Sequence, residues 1–532
     1  MQALREFFGG LLHNPNFWTT GMTRTKKWIA PALGLVSFLA ISTAAAELKI
    51  AEPGSRLAHF TYHNAPLLSF GGMSDFIFYF PKSTYDYRQW ADWQAKHGMN
   101  HVRAYPPLSF RKMELVFDDD KVPRDELVFP YEETEPGSRR FDLERFNAAY
   151  WSDFRTKLAY LHDKGIIVHL IVFNGWHITY EHSGNWEGHF FNPAVNVNPA
   201  TSHLASNEFA FYHSVADEQS ELLGLQKAWI RKLVEATAGF DNVYFDLVHE
   251  IARNRQGGWI SERGDWAKVQ SWIDVMTATL REEYRQVNGA EPIVGLDGGP
   301  FTEEQRDWVF SRPYFDILIY GKRHEVQRAV QWREEYRKPF VPQESWDDSG
   351  DKWSYRFPDH RTHIRKYVWK MMMAKAQQID IYVKPPREWD STSELEPPGL
   401  PHRYDPRGWN AFEEDALLLR RFWDAMEDYG ALQLRGSVIE GPGRHRLVLS
   451  SAREALVYLA SGTGKEAVEF DASTVRVAGL ALNDGVYKAS LYSPALGPIA
   501  TSEVSVQGRQ SSIALPAFVD DIMIQITPAA TP

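Results

Sequence analysis

Short apolar runs alternate with amphipathic stretches along the chain from about residue 65 to 430. The runs are four to eight residues long and rich in Val, Ile, Phe and Tyr, which is typical of buried strands. Eight such runs are present: 66–72 (PLLSFGG), 100–105 (NHVRAY), 166–173 (IIVHLIVF), 242–248 (NVYFDLV), 292–297 (PIVGLD), 315–320 (FDILIY), 339–344 (PFVPQE) and 379–384 (IDIYVK). The pattern therefore predicts eight strands.

Helical periodicity fills the intervals between these runs. Gly98, Gly165 and Gly239 directly follow three of the helical stretches, where a left-handed cap is expected. The clearest predicted helices cover 85–97, 144–164, 217–238, 264–287, 359–378 and 411–429. Eight alternating strand and helix units in this length predict an α/β fold, a (β/α)8 TIM barrel, rather than an open doubly wound sheet.

The pattern changes after the last predicted helix. Short alternating runs such as "HRLVLSS" and "GVYKASLYS" are separated by Gly, Asn and Ser turns, which predicts a small C-terminal β-sandwich. The expected organisation is an N-terminal extension at 1–46, a catalytic barrel at 47–430 and the sandwich at 431–532. The sandwich is expected to support the barrel.

The predicted loops are unequal in length. Connections from helix to strand are as short as "DKG" and "RKP", whereas four connections from strand to helix are long, at 106–142, 174–215, 345–358 and 385–410. All four long loops fall at the C-terminal ends of the strands, where a barrel of this type carries its active site. We therefore expect the functional site on that rim.

The composition excludes several classes of function. The 532 residues carry a formal net charge of −11, which argues against nucleic acid and anionic membranes as partners. The chain contains no cysteine, so disulfides, thiolate nucleophiles and zinc–thiolate sites are excluded.

The N-terminal segment has the pattern of an export signal. Arg24, Lys26 and Lys27 precede the apolar run "WIAPALGLVSFLAISTAAA", which ends in small residues suited to cleavage after about Ala46. A single membrane anchor is the alternative, but the run is short and interrupted by Pro and Gly. No later segment is apolar enough to cross a bilayer. We expect a periplasmic or secreted protein with no membrane span after signal cleavage.

Two predicted strands end on glutamate. Glu250 follows the fourth strand in "NVYFDLVHE", and Glu344 ends the seventh in "KPFVPQESW". Glycoside hydrolysis uses two carboxyl groups, which here would face each other across the barrel mouth. One protonates the leaving oxygen, and the other attacks the anomeric carbon. If they are close, like-charge repulsion raises the pKa of one and keeps it protonated as the acid.

These motifs resemble clan A glycoside hydrolases of the apiosidase-like and cellulase-like type. "FDLVHE" resembles their Phe/Tyr-Glu-Leu-x-Asn-Glu fourth strand, "KPFVPQES" their Lys-Pro-…-Glu seventh strand, and "NHVRAY" their Asn-x-Val-Arg second strand. The tail is similar to the small sandwich, sometimes labelled collagen-binding, that follows such barrels. The resemblance implies a retaining mechanism with Glu250 as acid/base, Glu344 as nucleophile and Arg103 orienting the nucleophile. An ion pair between Arg103 and Asp246 is the alternative role.

One residue departs from the family pattern. The clan places Asn before the acid/base, where the side-chain amide contacts the sugar 2-hydroxyl, and this chain has His249. An imidazole N–H can donate a comparable hydrogen bond. We therefore count His249 among the substrate-binding candidates.

Other candidates for sugar contact lie at or beyond the predicted strand ends. Aromatic rings stack on pyranose rings, and polar groups bind the hydroxyls. For each candidate the alternative is packing of its loop onto the barrel. Asp297, at the end of the fifth strand, is a weaker candidate for sugar contact than the others. The candidates are Asn174, Trp176, His177, Tyr320, His324, Trp346, Lys384 and Trp389.

Functions from other classes make different demands on the sequence. A metal-dependent hydrolase on this barrel needs His-x-His on the first strand, which has no histidine, and "HEIAR" lacks the second histidine of a zinc helix because residue 253 is Arg. A non-catalytic glycan-binding protein would tolerate loss of either glutamate, yet both are present. We expect a carbohydrate substrate, no cofactor and no metal.

Overall fold

The computed structural model describes most of the chain between residue 47 and residue 529. The described ranges are 47–72, 77–79, 87–110, 127–179, 186–205, 208–251, 265–298, 301–321, 326–343, 361–381, 406–427, 429–434, 438–462 and 467–529. The predicted export signal at 1–46 lies outside them and stays a prediction.

All eight predicted strands of the α/β region are present. Each forms within or next to its predicted run, although the fifth keeps only two residues of regular strand. In order they are Ser69–Gly72, His101–Ala104, Ile167–Asn174, Val243–His249, Val294–Gly295, Leu318–Gly321, Phe340–Gln343 and Gln378–Ile381.

Parallel pairing connects these strands in a circle. Hydrogen-bonded pairs join the second strand to the third, the third to the fourth, the fourth to the fifth, the sixth to the seventh, and the eighth back to the first. Single parallel bridges join the fifth to the sixth and the seventh to the eighth. The Asn100 N–H donates to the Phe70 carbonyl at 2.9 Å and joins the first to the second. We call these eight strands the strand ring.

Helices follow the ring strands as predicted. Gly98, Gly165 and Gly239 have φ values of 74°, 67° and 83°, the left-handed conformation expected after helix ends. No helix in the described ranges is long and apolar enough to cross a membrane. The α-helices are Tyr87–Lys96, Ala148–Asp163, Trp176–Thr179, Ser220–Thr237, Trp266–Asn288, Glu303–Ser311, Val326–Tyr336, Arg361–Met373 and Pro406–Asp424.

Two of these α-helices, beyond the one-turn Trp176–Thr179, were not among the clearest predictions. Glu303–Ser311 is short and polar, but Thr302 and Gln305 form a reciprocal capping box at its start, which satisfies backbone N–H groups that a short helix would otherwise leave unpaired. Val326–Tyr336 is the other. The third-strand loop also contains short 3₁₀ helices at Trp186–Gly188, Pro199–Ala205 and Glu208–His213.

A small antiparallel sheet closes the end of the ring at which the strands begin. Lys49–Ala51, His59–Tyr62 and Ala65–Pro66 form a three-stranded antiparallel sheet. Phe60 and Tyr62 from this sheet pack with ring residues such as Ile167, Ile319 and Val341 in one buried apolar cluster. These ring residues lie early in their strands, so the sheet covers the N-terminal end of the ring and leaves the opposite end for the long loops.

A hairpin of Tyr131–Glu133 and Phe141–Phe146 occupies the second-strand loop. Phe129, Phe141 and Phe190 form ring contacts with one another at centroid distances of 4.8 to 6.3 Å. The long loops after the second and third strands are therefore packed together by aromatic side chains.

The C-terminal region is a single antiparallel sheet of nine strands. Buried residues from both ends of the sheet, including Val448, Val477 and Ile513, share one apolar core, so the sheet curls over itself. The sequence predicts a β-sandwich here; its β-rich character is confirmed, and the structure forms it mainly from one curled sheet. The strands Gly497–Gln507 and Gln510–Leu515 had no predicted counterpart. The strands of the region, including a separate pair formed by 469–470 and 518–519, are Gln433–Leu434, Val438–Glu440, His445–Ser450, Ala455–Ala460, Glu469–Phe470, Ser473–Ala478, Gly485–Ser493, Gly497–Gln507, Gln510–Leu515, Phe518–Val519 and Asp521–Pro528.

A buried ion pair joins this sheet to the helix Arg361–Met373. The Arg365 guanidinium donates to Asp521 Oδ1 at 2.9 Å, and the Tyr458 hydroxyl donates to Asp521 Oδ2 at 3.0 Å. Trp369, one helical turn from Arg365, stacks on Tyr458 with ring centroids 6.4 Å apart. The interface is therefore both apolar and charge-paired.

Asp521→Ala should destabilise the protein by about 3 kcal/mol, because the buried Arg365 guanidinium loses its hydrogen-bonded carboxylate and keeps only Asp520, at 3.7 Å. Glu440→Ala is the matched control, since Glu440 pairs with Arg476 at 3.1 Å on the exposed surface of the same sheet; it should cost less than about 1 kcal/mol. Urea unfolding followed by circular dichroism measures both. Equal losses would contradict the interpretation of Arg365 and Asp521 as the buried link.

Candidate active site

Alternate residues on the ring strands place polar side chains inside the ring. Side-chain direction reverses at each residue of a strand, so Arg103 on the second strand, Asp246 on the fourth and Gln343 on the seventh point to a common interior. All three are buried. Buried polar groups must find partners to offset the loss of hydration, and these three find one another.

Gln343 is the centre of this network. Its Oε1 accepts hydrogen bonds from Arg103 Nη1 at 3.3 Å and from His249 Nδ1 at 3.1 Å. Its Nε2 donates to Asp246 Oδ2 at 2.9 Å. One neutral amide therefore links two basic side chains to an acidic one. Arg103 and Asp246 are thus linked through Gln343, and the roles predicted for Arg103 stay predictions.

Asp297 supports the end of the fourth strand. Its backbone N–H donates to Asp246 Oδ1 at 3.1 Å, and its Oδ2 accepts the backbone N–H of Glu250 at 3.2 Å. The same Oδ2 lies 3.2 Å from His249 Nδ1. Asp297 was the weakest candidate in the sequence, and the structure places it in direct contact with both His249 and Glu250.

His249 is held in one protonation state by these partners. Burial lowers the pKa of His249, but the hydrogen bond to Asp297 and the charges of Glu250 and Asp297 outweigh burial and the charge of Arg103, and raise the pKa to about 9. The imidazole is therefore an imidazolium at neutral pH. Both described polar contacts of His249 involve Nδ1. The Nε2–H group is therefore the one that can donate a hydrogen bond to a further partner.

Glu250 has a strained backbone at the strand end. Its φ is 52°, the left-handed region that a residue with a Cβ occupies at a cost of about 1 kcal/mol or more. The side chain is largely buried, with 8% exposure. Strain of this kind persists only where surrounding contacts enforce it, and such positions cluster at functional sites.

Gly175 shows how tightly the neighbouring loop approaches Glu250. The Gly175 N–H donates to the His249 carbonyl at 2.8 Å. A Cβ at residue 175 would lie 2.7 Å from the Ile251 Cα, which is too close for any side chain. The loop after the third strand therefore packs directly on the turn that carries Glu250.

Three candidates follow the third strand. Asn174 and His177 are buried; His177 Nε2 lies 3.4 Å from the Tyr79 hydroxyl, and its ring makes an edge contact with Tyr105 at 5.4 Å. Trp176 begins the short helix Trp176–Thr179, and its side chain is outside the described part. Loop packing accounts for the described contacts of His177, and sugar contact by these three residues stays a prediction.

Tyr320 packs toward the helices. Its ring contacts Trp332 at 4.6 Å and lies 5.9 Å from the Arg306 guanidinium, and burial raises the pKa of its hydroxyl. These are the contacts of the packing alternative, whereas sugar contact by Tyr320 stays a prediction. Five further candidates lie outside the described residues: Glu344, His324, Trp346, Lys384 and Trp389.

Gln343 is a site residue that was not among the sequence-based candidates. The signal was available, since Gln343 lies two residues after the inward-facing Val341 and directly before Glu344. His169, a histidine in the otherwise apolar run "IIVHLIVF", was also passed over, and its Nε2 lies 3.5 Å from Gln343 Nε2. A polar residue within an otherwise apolar, buried strand run is the pattern that identifies both.

Solved structures of glycoside hydrolases share this fold. One structure titled "Glycoside hydrolase" covers 92% of this chain and 98% of its own, with a TM-score of 0.55 and 12% identity. A glycoside hydrolase family 5 protein from Bacteroides vulgatus ATCC 8482 covers 91% of this chain and 94% of its own, with a TM-score of 0.54 and 13% identity. No protein-family model matches the chain, and no curated protein matches its sequence. At such identity the likeness concerns the fold.

His249 should make stability depend on pH. Its pKa rises from an ordinary 6.5 to about 9 on folding, so its contribution is complete below about pH 6.5 and lost as the pH rises through about 9. The unfolding free energy of the wild type relative to His249→Asn should therefore fall by up to about 3 kcal/mol over that interval.

Chemical denaturation across this pH range measures the difference. His63→Asn, at an exposed histidine on a turn, is the matched control. A constant difference between wild type and His249→Asn would show that Asp297 does not hold His249 in its charged form.

Proposed function

We propose that the chain is a retaining glycoside hydrolase in which Glu250 is the acid/base and Glu344 the nucleophile. One observation carries the proposal: the strained Glu250 adjoins a buried network in which Gln343, the residue before Glu344, links Arg103 to His249. The two glutamates therefore follow strand ends that are connected inside the ring. We further propose that the ring is a (β/α)8 barrel, which the circular pairing and the likeness to family 5 structures support.

The chemistry follows from two carboxyl groups at the barrel mouth. The Glu250 carboxylic acid donates its proton to the glycosidic oxygen while the Glu344 carboxylate attacks the anomeric carbon, so the glycosyl–enzyme ester forms as the C–O bond to the leaving group breaks. The Glu250 carboxylate then takes a proton from water. That water oxygen attacks the anomeric carbon, releases Glu344 and gives a product of retained configuration.

Arg103 and His249 have different roles in this reaction: Arg103 acts on the nucleophile, and His249 acts on the sugar. The fixed cation of Arg103, held by Gln343 at 3.3 Å, favours the ionised carboxylate that the attack requires. The protonated His249 can only donate a hydrogen bond through Nε2, so it takes the place of the clan's asparagine as a donor to a sugar hydroxyl oxygen.

The substrate is proposed to be an oligosaccharide or polysaccharide outside the cytoplasm. The export signal predicted at 1–46 supports a periplasmic or secreted enzyme. The curled C-terminal sheet shares a buried ion pair and apolar contacts with the helix Arg361–Met373, which supports a role in bracing the barrel.

Glu344→Ala should lower kcat on aryl glycosides by at least about 1,000-fold, because the nucleophile is absent. Azide should restore turnover and give a glycosyl azide of inverted configuration, since the small anion fills the space of the lost carboxylate. Glu250→Ala should retain the first step only on substrates with good leaving groups. A panel of aryl glycosides and polysaccharides, with NMR of the products, measures these effects.

Glu221→Ala is the matched control, since Glu221 is exposed at the start of the helix Ser220–Thr237, and it should leave kcat unchanged. Wild-type activity in Glu344→Ala or Glu250→Ala would refute the assignment. Binding of a glycan without hydrolysis by the wild type would instead favour a non-catalytic glycan-binding protein.

A further inference from the structure

A second polar cluster lies deeper in the ring, beneath the network around Gln343. His101 on the second strand, His169 on the third and Asp380 on the eighth are all fully buried. One potential ligand atom from each lies within 4.8 Å of those from the other two. His101 Nε2 is 2.6 Å from Asp380 Oδ1. Each residue stands on a strand, so the cluster is rigidly placed.

Several atoms of this cluster lack a partner. His101 Nδ1, Asp380 Oδ2 and Gln378 Oε1 have no hydrogen-bond partner among the described residues. Native interiors leave few buried polar atoms unpaired, and several unpaired atoms together indicate a bound ion or water. An ion pair between His101 Nε2 and Asp380 Oδ1 accounts for one atom of each residue. It leaves His101 Nδ1, Asp380 Oδ2 and Gln378 Oε1 unexplained.

Two further polar side chains, Gln378 and Asp246, lie beside the cluster. Gln378 Nε2 donates to Asp380 Oδ1 at 2.8 Å and lies 3.3 Å from His169 Nδ1. Asp246 Oδ2 lies 3.7 Å from His169 Nε2. At this distance the carboxylate acts on the imidazole through its charge and not through a hydrogen bond, and it favours a proton on Nε2 and a free lone pair on Nδ1.

We propose that His101, His169 and Asp380 bind a divalent cation of the zinc class. Two imidazoles and one carboxylate are a donor set that zinc takes in proteins. The ligands are fully buried, so the ion is structural and does not meet substrate. It would hold the second, third and eighth ring strands together and orient His169, which also lies near Gln343. This site does not depend on the proposed glycosidase activity.

Metal content of the full chain, expressed with zinc in the medium, tests the proposal by elemental mass spectrometry. We expect about one zinc per chain, retained when the folded protein is dialysed against EDTA and released when urea unfolds it, because a fully buried ion exchanges only on opening. X-ray absorption at the zinc edge should show two imidazole ligands. These measurements need no variant.

Asp380→Asn and His101→Gln should weaken zinc binding at least about 100-fold, with folding checked by circular dichroism. His63→Gln, at an exposed histidine, is the control and should bind like the wild type. Three results would overturn the proposal: less than about a tenth of a zinc per chain in the wild type, complete removal by EDTA from the folded protein, or full binding by both folded ligand variants.

Discussion

The neutral amide of Gln343 is the contact on which the interior of the ring depends. Arg103 and His249 are cationic and Asp246 is acidic, and none of the three could be buried at an acceptable cost alone. The amide offers an acceptor to both cations and a donor to the acid, at distances of 2.9 to 3.3 Å. Because Gln343 stands on the seventh strand and its three partners stand on the second and fourth strands, the amide also ties these three strands together below the rim.

The backbone of Glu250, on the rim of the ring, is strained, and the surrounding structure must stabilise it. Glu250 has a positive φ, and the loop at Gly175 approaches its turn so closely that a side chain would not fit. The opposite end of the ring is closed by the small sheet around Phe60 and Tyr62. The C-terminal sheet braces the helix Arg361–Met373 through Arg365 and Asp521. A rigid base of this kind is what allows a strained strand end to persist.

Features of the fold that periodicity alone decides could be predicted from the sequence. The eight ring strands, the left-handed glycines after three helices and the β-rich tail were all predicted, because side-chain alternation and cap geometry are local properties. The inward direction of Arg103 and the placement of Glu250 at a strand tip follow from the same rule.

Side-chain contacts across the ring could not be predicted in the same way. The ring of Tyr320, a predicted site residue, contacts Trp332 and lies near Arg306, two residues on helices that are not among the clearest predictions. Its role at the site stays a prediction. Asp297 was ranked low, and it supports both His249 and Glu250 because the fourth and fifth strands are neighbours in the ring. Such pairings depend on strand order and on helix packing, which a single sequence does not encode locally.

The central claim is that Glu344 meets the reacting sugar carbon opposite Glu250. The most direct measurement is trapping with a panel of 2-deoxy-2-fluoroglycosyl fluorides, followed by mass spectrometry of the intact protein and of its peptides. The fluorine slows release of the covalent intermediate, so this account predicts a single glycosyl label on Glu344, with labelling abolished by prior saturation with product. A label on any other carboxylate, or turnover of the natural substrate with inverted product and no label, would contradict it.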